Sequence, residues 1–219
     1  MKSNEHKIIL KKSARYFTLG TPSDSIKSIW FVIHGYGNLA GDFINNFKII
    51  NNGENYIIAP EALNKFYLKG FSGKIGATWM TKENREDEIN DYTNFIDSVY
   101  KKEIKKFNRS KIKINVLGFS QGVPTSVRWL LNGECKADNL IIWAGDLPHD
   151  SEADKIKTVL TSMNIYFAIG SKDGIINEDR LKLELEKFKT LDINFKLYKF
   201  EGGHEIHQQT LLKIASEII

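Results

Sequence analysis

A serine between two glycines is the strongest chemical signal in the chain. Residues 118–122 read G-F-S-Q-G, after the apolar run 112–117 and before a segment with helical periodicity. In a strand-to-helix turn of the form G-x-S-x-G, glycines without a β-carbon permit a very sharp bend, and the serine is exposed at its apex. The motif in this context predicts that Ser120 is a nucleophile.

An acid and a histidine follow the serine in the order that such a turn requires. The apolar run 165–169 leads into a turn with Asp173, and the run 195–200 breaks into a glycine-rich loop with His204. Because parallel strands end at one edge of a sheet, we expect these side chains to lie near Ser120. A serine hydroxyl needs an imidazole to accept its proton, and a carboxylate orients that imidazole, so we predict a catalytic triad.

Two backbone N–H groups are predicted to bind the oxyanion of a tetrahedral intermediate. One belongs to Gln121, the residue after the serine. The other is assigned to Tyr36, in the loop 34–38 (H-G-Y-G-N) that follows the apolar run 29–33. Losing one such donor typically costs about 2.7–4 kcal/mol of transition-state stabilisation.

The other histidines are weaker candidates for the base. His207 is expected inside the last helix, and His6 on the surface. His149 precedes Asp173 and therefore breaks the expected order. His34 is expected to brace the oxyanion loop through hydrogen bonds.

Asp146 is the competing candidate for the acid. It follows the apolar run 140–143, and some hydrolases take the acid from the preceding strand end. Asp173 is favoured over Asp146.

A metal site at residues 204–207 (H-E-I-H) is the other alternative. Two histidines three apart can share a helical face, but the spacing is not the H-E-x-x-H of zinc proteases. No third ligand is evident, so no metal is expected.

The elements that must position these groups alternate along the chain. Short β-branched apolar runs are separated by amphipathic stretches, which is typical of parallel strands joined by helical crossovers. We expect one α/β domain over residues 1–219, with a mostly parallel central sheet and helices on both faces. Residues 6–19 are expected to form one or two edge strands. Helices are predicted to start at Asn84, Gln121 and Asn177, and to span 206–219.

Together the motifs resemble the α/β-hydrolase superfamily, and within it the carboxylesterase, phospholipase and acyl-protein thioesterase group. The resemblance spans nearly the whole chain, in the family's order. It is carried by residues 34–37, 59–60, 118–122, 170–173 and 203–204. The resemblance implies cleavage of carboxylic esters or thioesters in small-molecule acyl substrates, without a metal or organic cofactor.

The chain departs from this family pattern at two places. Tyr36 and Asn38 stand where the family often has Leu and Asp, and residues 174–177 lack the proline that often follows the acid. Backbone donors tolerate such changes, because the amide acts whatever side chain it carries. The departures therefore bear on substrate preference.

Residues 61–82 are rich in aromatic side chains and glycine, with no clear period of 2 or 3.6. This composition suits a flap over the active site, and the equivalent loop of the resembling family lines an acyl groove. We therefore predict substrate contacts for Trp79, Phe71 and Phe119. The alternative is a packed surface loop that buries its own aromatic residues.

Charge and composition argue against several other classes of protein. The net charge is +4, with lysines concentrated in 101–106 and 111–113, but no nucleic-acid motif accompanies them. Cations at a helix end complement its dipole, so no nucleic-acid partner is expected. The start of the chain lacks the apolar core of a signal peptide, and no apolar run approaches the ~18 residues of a membrane span. With a single cysteine, Cys135, we expect a cytoplasmic protein that is monomeric or homodimeric.

Two functional classes remain open at this stage. One is a serine esterase or thioesterase, and the same machinery also serves lysophospholipases and peptidases. The other is a non-catalytic binding protein that keeps the hydrolase fold. The complete triad favours the enzyme.

Overall fold

The structure, a computed structural model, describes residues 3–218 and shows nine strands and six α-helices in that range. The strands are β1 (Tyr16–Leu19), β2 (Ser28–Ile33), β3 (Asn55–Pro60), β4 (Asn64–Tyr67), β5 (Ile75–Thr78), β6 (Lys113–Phe119), β7 (Asn139–Trp143), β8 (Asn164–Gly170) and β9 (Lys196–Phe200). The helices are α1 (Ala40–Phe43), α2 (Arg85–Ile104), α3 (Gly122–Asn132), α4 (Ala153–Leu160), α5 (Glu178–Thr190) and α6 (Gln208–Ile218).

A seven-stranded sheet in the order β1-β3-β2-β6-β7-β8-β9 forms the centre of the molecule. Strand β1 is antiparallel to β3, and all other neighbouring pairs are parallel. The middle strands are buried on both faces, which explains their continuous apolar sequences. The predicted α/β class with a mostly parallel sheet is confirmed.

Two layers of helices cover the sheet. Alternate residues of β2 show the division, because Phe31 packs with α2 to α5 on one face and Trp30 packs with α1, the 3₁₀ segment Ile44–Ile50 and α6 on the other. The parallel register brings the carboxyl ends of β2, β6, β7, β8 and β9 to one edge of the sheet. The predicted site residues follow these ends.

The predicted helix starts agree with the structure except in detail. Asn177 caps α5, and its side chain accepts a hydrogen bond from the Arg180 N–H at 2.9 Å. Asn84 directly precedes α2 but has a left-handed backbone (φ 47°), and its side chain makes no capping bond. The last helix begins at Gln208 rather than 206, and only Tyr16–Leu19 of residues 6–19 forms a strand.

The segment 61–82, predicted as a flap loop, contains a two-stranded hairpin instead. Strands β4 and β5 pair antiparallel, and residues 67–75 at the tip are exposed. The base of the hairpin is attached to the loop after β2: Gly37 N donates to Ala77 O at 2.9 Å, and Ala77 N donates to Asn38 O at 3.3 Å. The strands escaped detection because each has only four residues, and their sequences, N-K-F-Y and I-G-A-T, lack a clear alternation.

Membrane insertion through a helix is not a feature of this fold. Across residues 3–218, every helix is too short or too polar to span a bilayer.

Gly122 provides a test of the packing that forms the turn after β6. A β-carbon at this position would overlap the carbonyl oxygen of Ile33, which is backbone of β2 and cannot move aside. Gly122→Ala is therefore expected to lower the free energy of unfolding by about 3 kcal/mol or more, measured by urea denaturation. Gly174→Ala is the matched control, since nothing lies within 4 Å of a β-carbon there. Equal stability of the two variants would contradict the argument.

Candidate active site

Ser120 lies at the apex of the turn between β6 and α3. Its backbone is left-handed, with φ of 53°, a conformation that residues with a β-carbon rarely adopt. The Ser120 N–H donates to Trp143 O at 2.9 Å, and the Ser120 carbonyl accepts from Val123 N at 2.9 Å. These bonds attach the turn to β7 and to the first turn of α3.

Asp173 and His204 form a hydrogen-bonded pair at the ends of neighbouring strands. Asp173 Oδ2 and His204 Nδ1 are 2.8 Å apart, and the Asp173 side chain is fully buried. Its other oxygen, Oδ1, accepts the N–H groups of Ile175 at 2.8 Å and Ile176 at 2.9 Å. The carboxylate thus fixes the imidazole with Nδ1 as the donor and leaves Nε2 free to accept a proton.

The imidazole of His204 packs beside the nucleophile turn. Its ring centre lies 4.8 Å from that of Phe119, the residue before Ser120. Within residues 3–218, no hydrogen bond of 3.5 Å or less joins the Ser120 hydroxyl to His204. Catalytic hydrogen bonds of this kind often tighten only when substrate is bound.

The alternative bases and acid have other partners. Asp146, after β7, binds Arg180 Nε at 2.7 Å and the neighbouring Arg180 Nη2. His207 lies flat on the Phe200 ring at 4.9 Å and accepts from Thr210 N at 3.4 Å. The geometry therefore favours Asp173 and His204 over these competitors.

His149, the remaining alternative base, is close to a cation. Its Nδ1 lies 3.5 Å from Lys187 Nζ. Within residues 3–218, no carboxylate hydrogen-bonds to His149, so this ring lacks the partner that Asp173 gives to His204.

The loop after β2 passes directly over the nucleophile. A β-carbon on Gly35 would lie 3.1 Å from Ser120 Cβ, so only glycine lets the loop approach this closely. Neither the Tyr36 N–H nor the Gln121 N–H donates a hydrogen bond within the described part of the chain. Both N–H groups are thus without a partner in that range, as the prediction for oxyanion donors requires.

His34 and Trp79 fix this loop from below. His34 is fully buried; its Nε2 accepts from Ala62 N at 3.0 Å and its Nδ1 donates to Gly35 O at 2.8 Å. Burial lowers the pKa of His34 to about 4, so the ring is neutral at pH 7. The Trp79 indole N–H donates to His34 O at 2.8 Å.

The side chain of Gln121 connects the nucleophile turn to the base of the hairpin. Its Nε2 donates to Thr78 Oγ1 at 3.0 Å and to Met80 O at 3.1 Å. Its Oε1 accepts from Trp79 N at 3.3 Å. No motif in the sequence indicates this role, because the partners lie about 40 residues away.

The predicted substrate contacts need correction at two of three positions. Trp79 is 1% exposed and packs in the core, so it supports the loop rather than an acyl group. Phe71 is 98% exposed at the hairpin tip and packs on nothing. Phe119 lies between Phe43 and His204, with ring centres at 5.8 and 4.8 Å, and is the one of the three beside the site.

Ser120 opens onto a cleft of about 250 Å³. The wall includes one face of α3, the segment 144–149 and residues 175–176. Its charged side chains are Arg85, Arg128, Asp146 and Arg180. Sequence patterns missed the three arginines, which come from separate helices and match no motif, and indicated Asp146 only as an alternative acid. In the range 3–218, no group of three or more His, Cys, Asp or Glu side chains is placed to hold a metal ion.

This sheet, with a nucleophile turn after its central strand and an acid and a histidine on later strand ends, is the α/β-hydrolase fold. Within it, the chain belongs to the Phospholipase/Carboxylesterase family, whose model matches residues 16–219. Family membership makes the protein a hydrolase of the phospholipase and carboxylesterase type.

Solved structures share this fold over nearly the full chain. The esterase PE8 has 19% identity, covers 95% of this chain and 100% of its own, and has a TM-score of 0.70. Zea mays acyl-protein thioesterase 2 has 14% identity, coverages of 94% and 97%, and a TM-score of 0.69. The Bacillus cereus carboxylesterase has 13% identity, coverages of 94% and 93%, and a TM-score of 0.66. A comparison with curated proteins finds no match.

The depressed pKa of His34 predicts a loss of stability in mild acid. In the unfolded chain, His34 is protonated below its ordinary pKa of about 6.5. In the folded chain, it is protonated only below about pH 4. The free energy of unfolding should fall by about 3 kcal/mol across this window. His34→Gln keeps an acceptor for Ala62 N but does not titrate, so urea unfolding between pH 4 and 7 should show a shallower decline. Parallel pH profiles for the two proteins would contradict the assignment.

Proposed function

We propose that the protein is a serine hydrolase that cleaves carboxylic esters or thioesters through an acyl-enzyme on Ser120. The observation that carries this proposal is the 2.8 Å contact between Asp173 Oδ2 and His204 Nδ1, next to a serine in a left-handed turn. The family and the fold support the same reaction class.

The first half of the reaction forms the acyl-enzyme. Ser120 Oγ attacks the acyl carbon while His204 Nε2 accepts the hydroxyl proton. The carbonyl oxygen becomes an oxyanion, which accepts hydrogen bonds from the N–H groups of Tyr36 and Gln121. Collapse of the intermediate breaks the bond to the alcohol or thiol, and His204 returns the proton to this leaving group.

The second half uses the same groups with water. His204 Nε2 takes a proton from a water molecule, whose oxygen attacks the acyl carbon. The carboxylic acid leaves and the proton returns to Ser120 Oγ. Asp173 stabilises the imidazolium in each half, and two backbone N–H groups hold its carboxylate in place.

The same machinery can cleave several acyl bonds, so lysophospholipase and peptidase activities are the alternatives within this class. A small-molecule acyl ester or thioester is the substrate class that the family supports best. A non-catalytic binding role is the alternative outside the enzymes. It conflicts with the free oxyanion donors and the oriented imidazole, which a binding protein does not need.

Hydrolysis of p-nitrophenyl esters from acetyl to palmitoyl tests the proposal directly. Ser120→Ala and His204→Ala should each lose about 10³–10⁴ or more of kcat, because the triad acts as a unit. A fluorophosphonate should label the wild-type protein and not Ser120→Ala. Undiminished hydrolysis by folded Ser120→Ala would sink the mechanism, and failure of both assays would favour a binding role.

Asp173→Asn separates the proposed acid from its competitor. The asparagine keeps the shape of the side chain but cannot stabilise an imidazolium, so kcat should fall by about 10³–10⁴. Asp146→Asn removes a carboxylate that pairs with Arg180 rather than with a histidine, and a much smaller loss is expected. A larger loss from Asp146→Asn than from Asp173→Asn would reverse the assignment.

A further inference from the structure

Two arginines in the cleft share a single carboxylate. Asp150 Oδ1 accepts from Arg128 Nε at 3.1 Å and Nη2 at 2.7 Å, while Oδ2 accepts from Arg85 Nε at 3.0 Å and Nη2 at 2.7 Å. Burial raises the pKa of Asp150, but the hydrogen bonds from both arginines outweigh burial and hold that pKa below its usual range. Two positive charges therefore face one negative charge.

The other charges around the cleft do not compensate for this excess. Asp146 is the single acidic residue among the described residues that line the cleft, and Arg180 pairs with it. Arg180 binds Oδ2 of Asp146, while Oδ1 is buried without a hydrogen-bond partner among the described residues. The pair carries no net charge and therefore does not cancel the excess at Arg85 and Arg128. Glu86 and Glu152 lie on the outer side of the two arginines but form no ion pair with them within 4.0 Å.

Arg128 is the more deeply buried of the two, with 5% of its surface exposed. Within residues 3–218, the hydrogen bond found for its Nη1 goes to Met80 Sδ at 3.6 Å, and a thioether is a weak acceptor. The buried Tyr92 hydroxyl lies near this guanidinium but makes no hydrogen bond of good geometry in that range, so an anion is the acceptor that would best complete the Arg128 shell.

Arg128 also has the right position relative to the nucleophile. Gln121, Pro124, Thr125 and Arg128 line the cleft on one face of α3, which starts beside Ser120. The rise of about 1.5 Å per residue puts Arg128 about 10 Å along the helix from Gln121, and helical side chains lean back toward the N-terminus. A group several bonds from the scissile carbonyl could reach the guanidinium.

We propose that Arg128 and Arg85 bind a carboxylate of the substrate, so that the preferred esters or thioesters carry an anionic group several bonds from the acyl carbon. This specificity rests on the proposed hydrolysis at Ser120. The planar guanidinium forks match a carboxylate in geometry and in charge. A long, wholly apolar acyl chain offers these guanidinium groups no anion to bind.

The test compares two substrates that differ only in charge. The p-nitrophenyl half-ester of adipic acid carries a carboxylate, and its methyl ester has the same chain without the charge. Wild-type kcat/KM should be about tenfold or more higher for the charged substrate than for its methyl ester, and added salt should reduce this ratio.

Arg85→Gln should bring the ratio close to one, because Asp150 then neutralises Arg128. Asp150→Asn should raise the ratio, since both guanidinium groups become free.

Arg109→Gln is the matched control for net charge. Arg109 pairs with Asp138 and does not line the cleft, so its loss should leave the ratio as in the wild type. A second substrate pair, 4-carboxyphenyl hexanoate and its methyl ester, places the anion on the leaving group. Preference for the anion in either pair supports the site and shows which side of the ester it binds. A ratio near one in both pairs, or one that Arg85→Gln leaves unchanged, overturns the proposal.

A binding measurement tests the carboxylate site independently of the proposed hydrolysis at Ser120. If no ester is hydrolysed, titration calorimetry with adipate alone still reports on the two arginines. Wild-type protein should bind adipate at least about tenfold more tightly than Arg85→Gln, whereas equal binding or none would reject the carboxylate site whatever the fate of the hydrolase mechanism.

Discussion

The left-handed backbone of Ser120 persists only because the structure around it leaves no alternative. A residue with a β-carbon in this conformation stores about 1–3 kcal/mol of strain. The turn is held on one side by the β2–β6 ladder and on the other by the bond from Ser120 N to Trp143 O. Gly122 presses against β2 so closely that no larger residue fits. This contact between Gly122 and the end of β2 fixes the start of α3 beside the loop that follows β2.

Much of the site follows from local sequence. His204 comes after the partly exposed edge strand β9 and is legible from the glycine-rich loop that contains it. Ser120 and Asp173 each follow a strand that is buried on both faces. Such strands are continuous apolar runs, so β2, β6, β7 and β8 are legible, and the order serine, acid, histidine follows from chain direction. The hairpin of β4 and β5 is not legible, since each strand has only four residues and their burial follows no common pattern. The burial of Trp79 and the pairing of Arg85 with Asp150 depend on residues distant in sequence, and no local pattern encodes them.

Several buried carboxylates join separate elements of the fold through hydrogen bonds. Glu61, after β3, accepts from Ala40 N at 3.2 Å and from Arg15 Nε at 2.5 Å, which ties the N-terminal segment to the start of α1. Glu103 accepts from Tyr16 at 2.7 Å and Tyr56 at 2.8 Å, which ties the edge strand to α2. Asp173 follows the same rule in the site. Each buried acid is surrounded by donors, so desolvation is offset by charge-assisted bonds.

The hydrogen bonds from the Gln121 side chain to residues 78–80 hold the base of the hairpin in place, whereas the tip is less constrained. The base is hydrogen-bonded both to the turn at Ser120 and to the loop after β2, so these three segments are held in fixed positions relative to one another. The exposed tip, residues 67–75, has no such bond to the turn. Length and sequence can therefore vary at the tip without breaking the hydrogen bonds between Gln121 and residues 78–80, which makes the tip a suitable place to graft a longer cover or a new recognition element onto this scaffold.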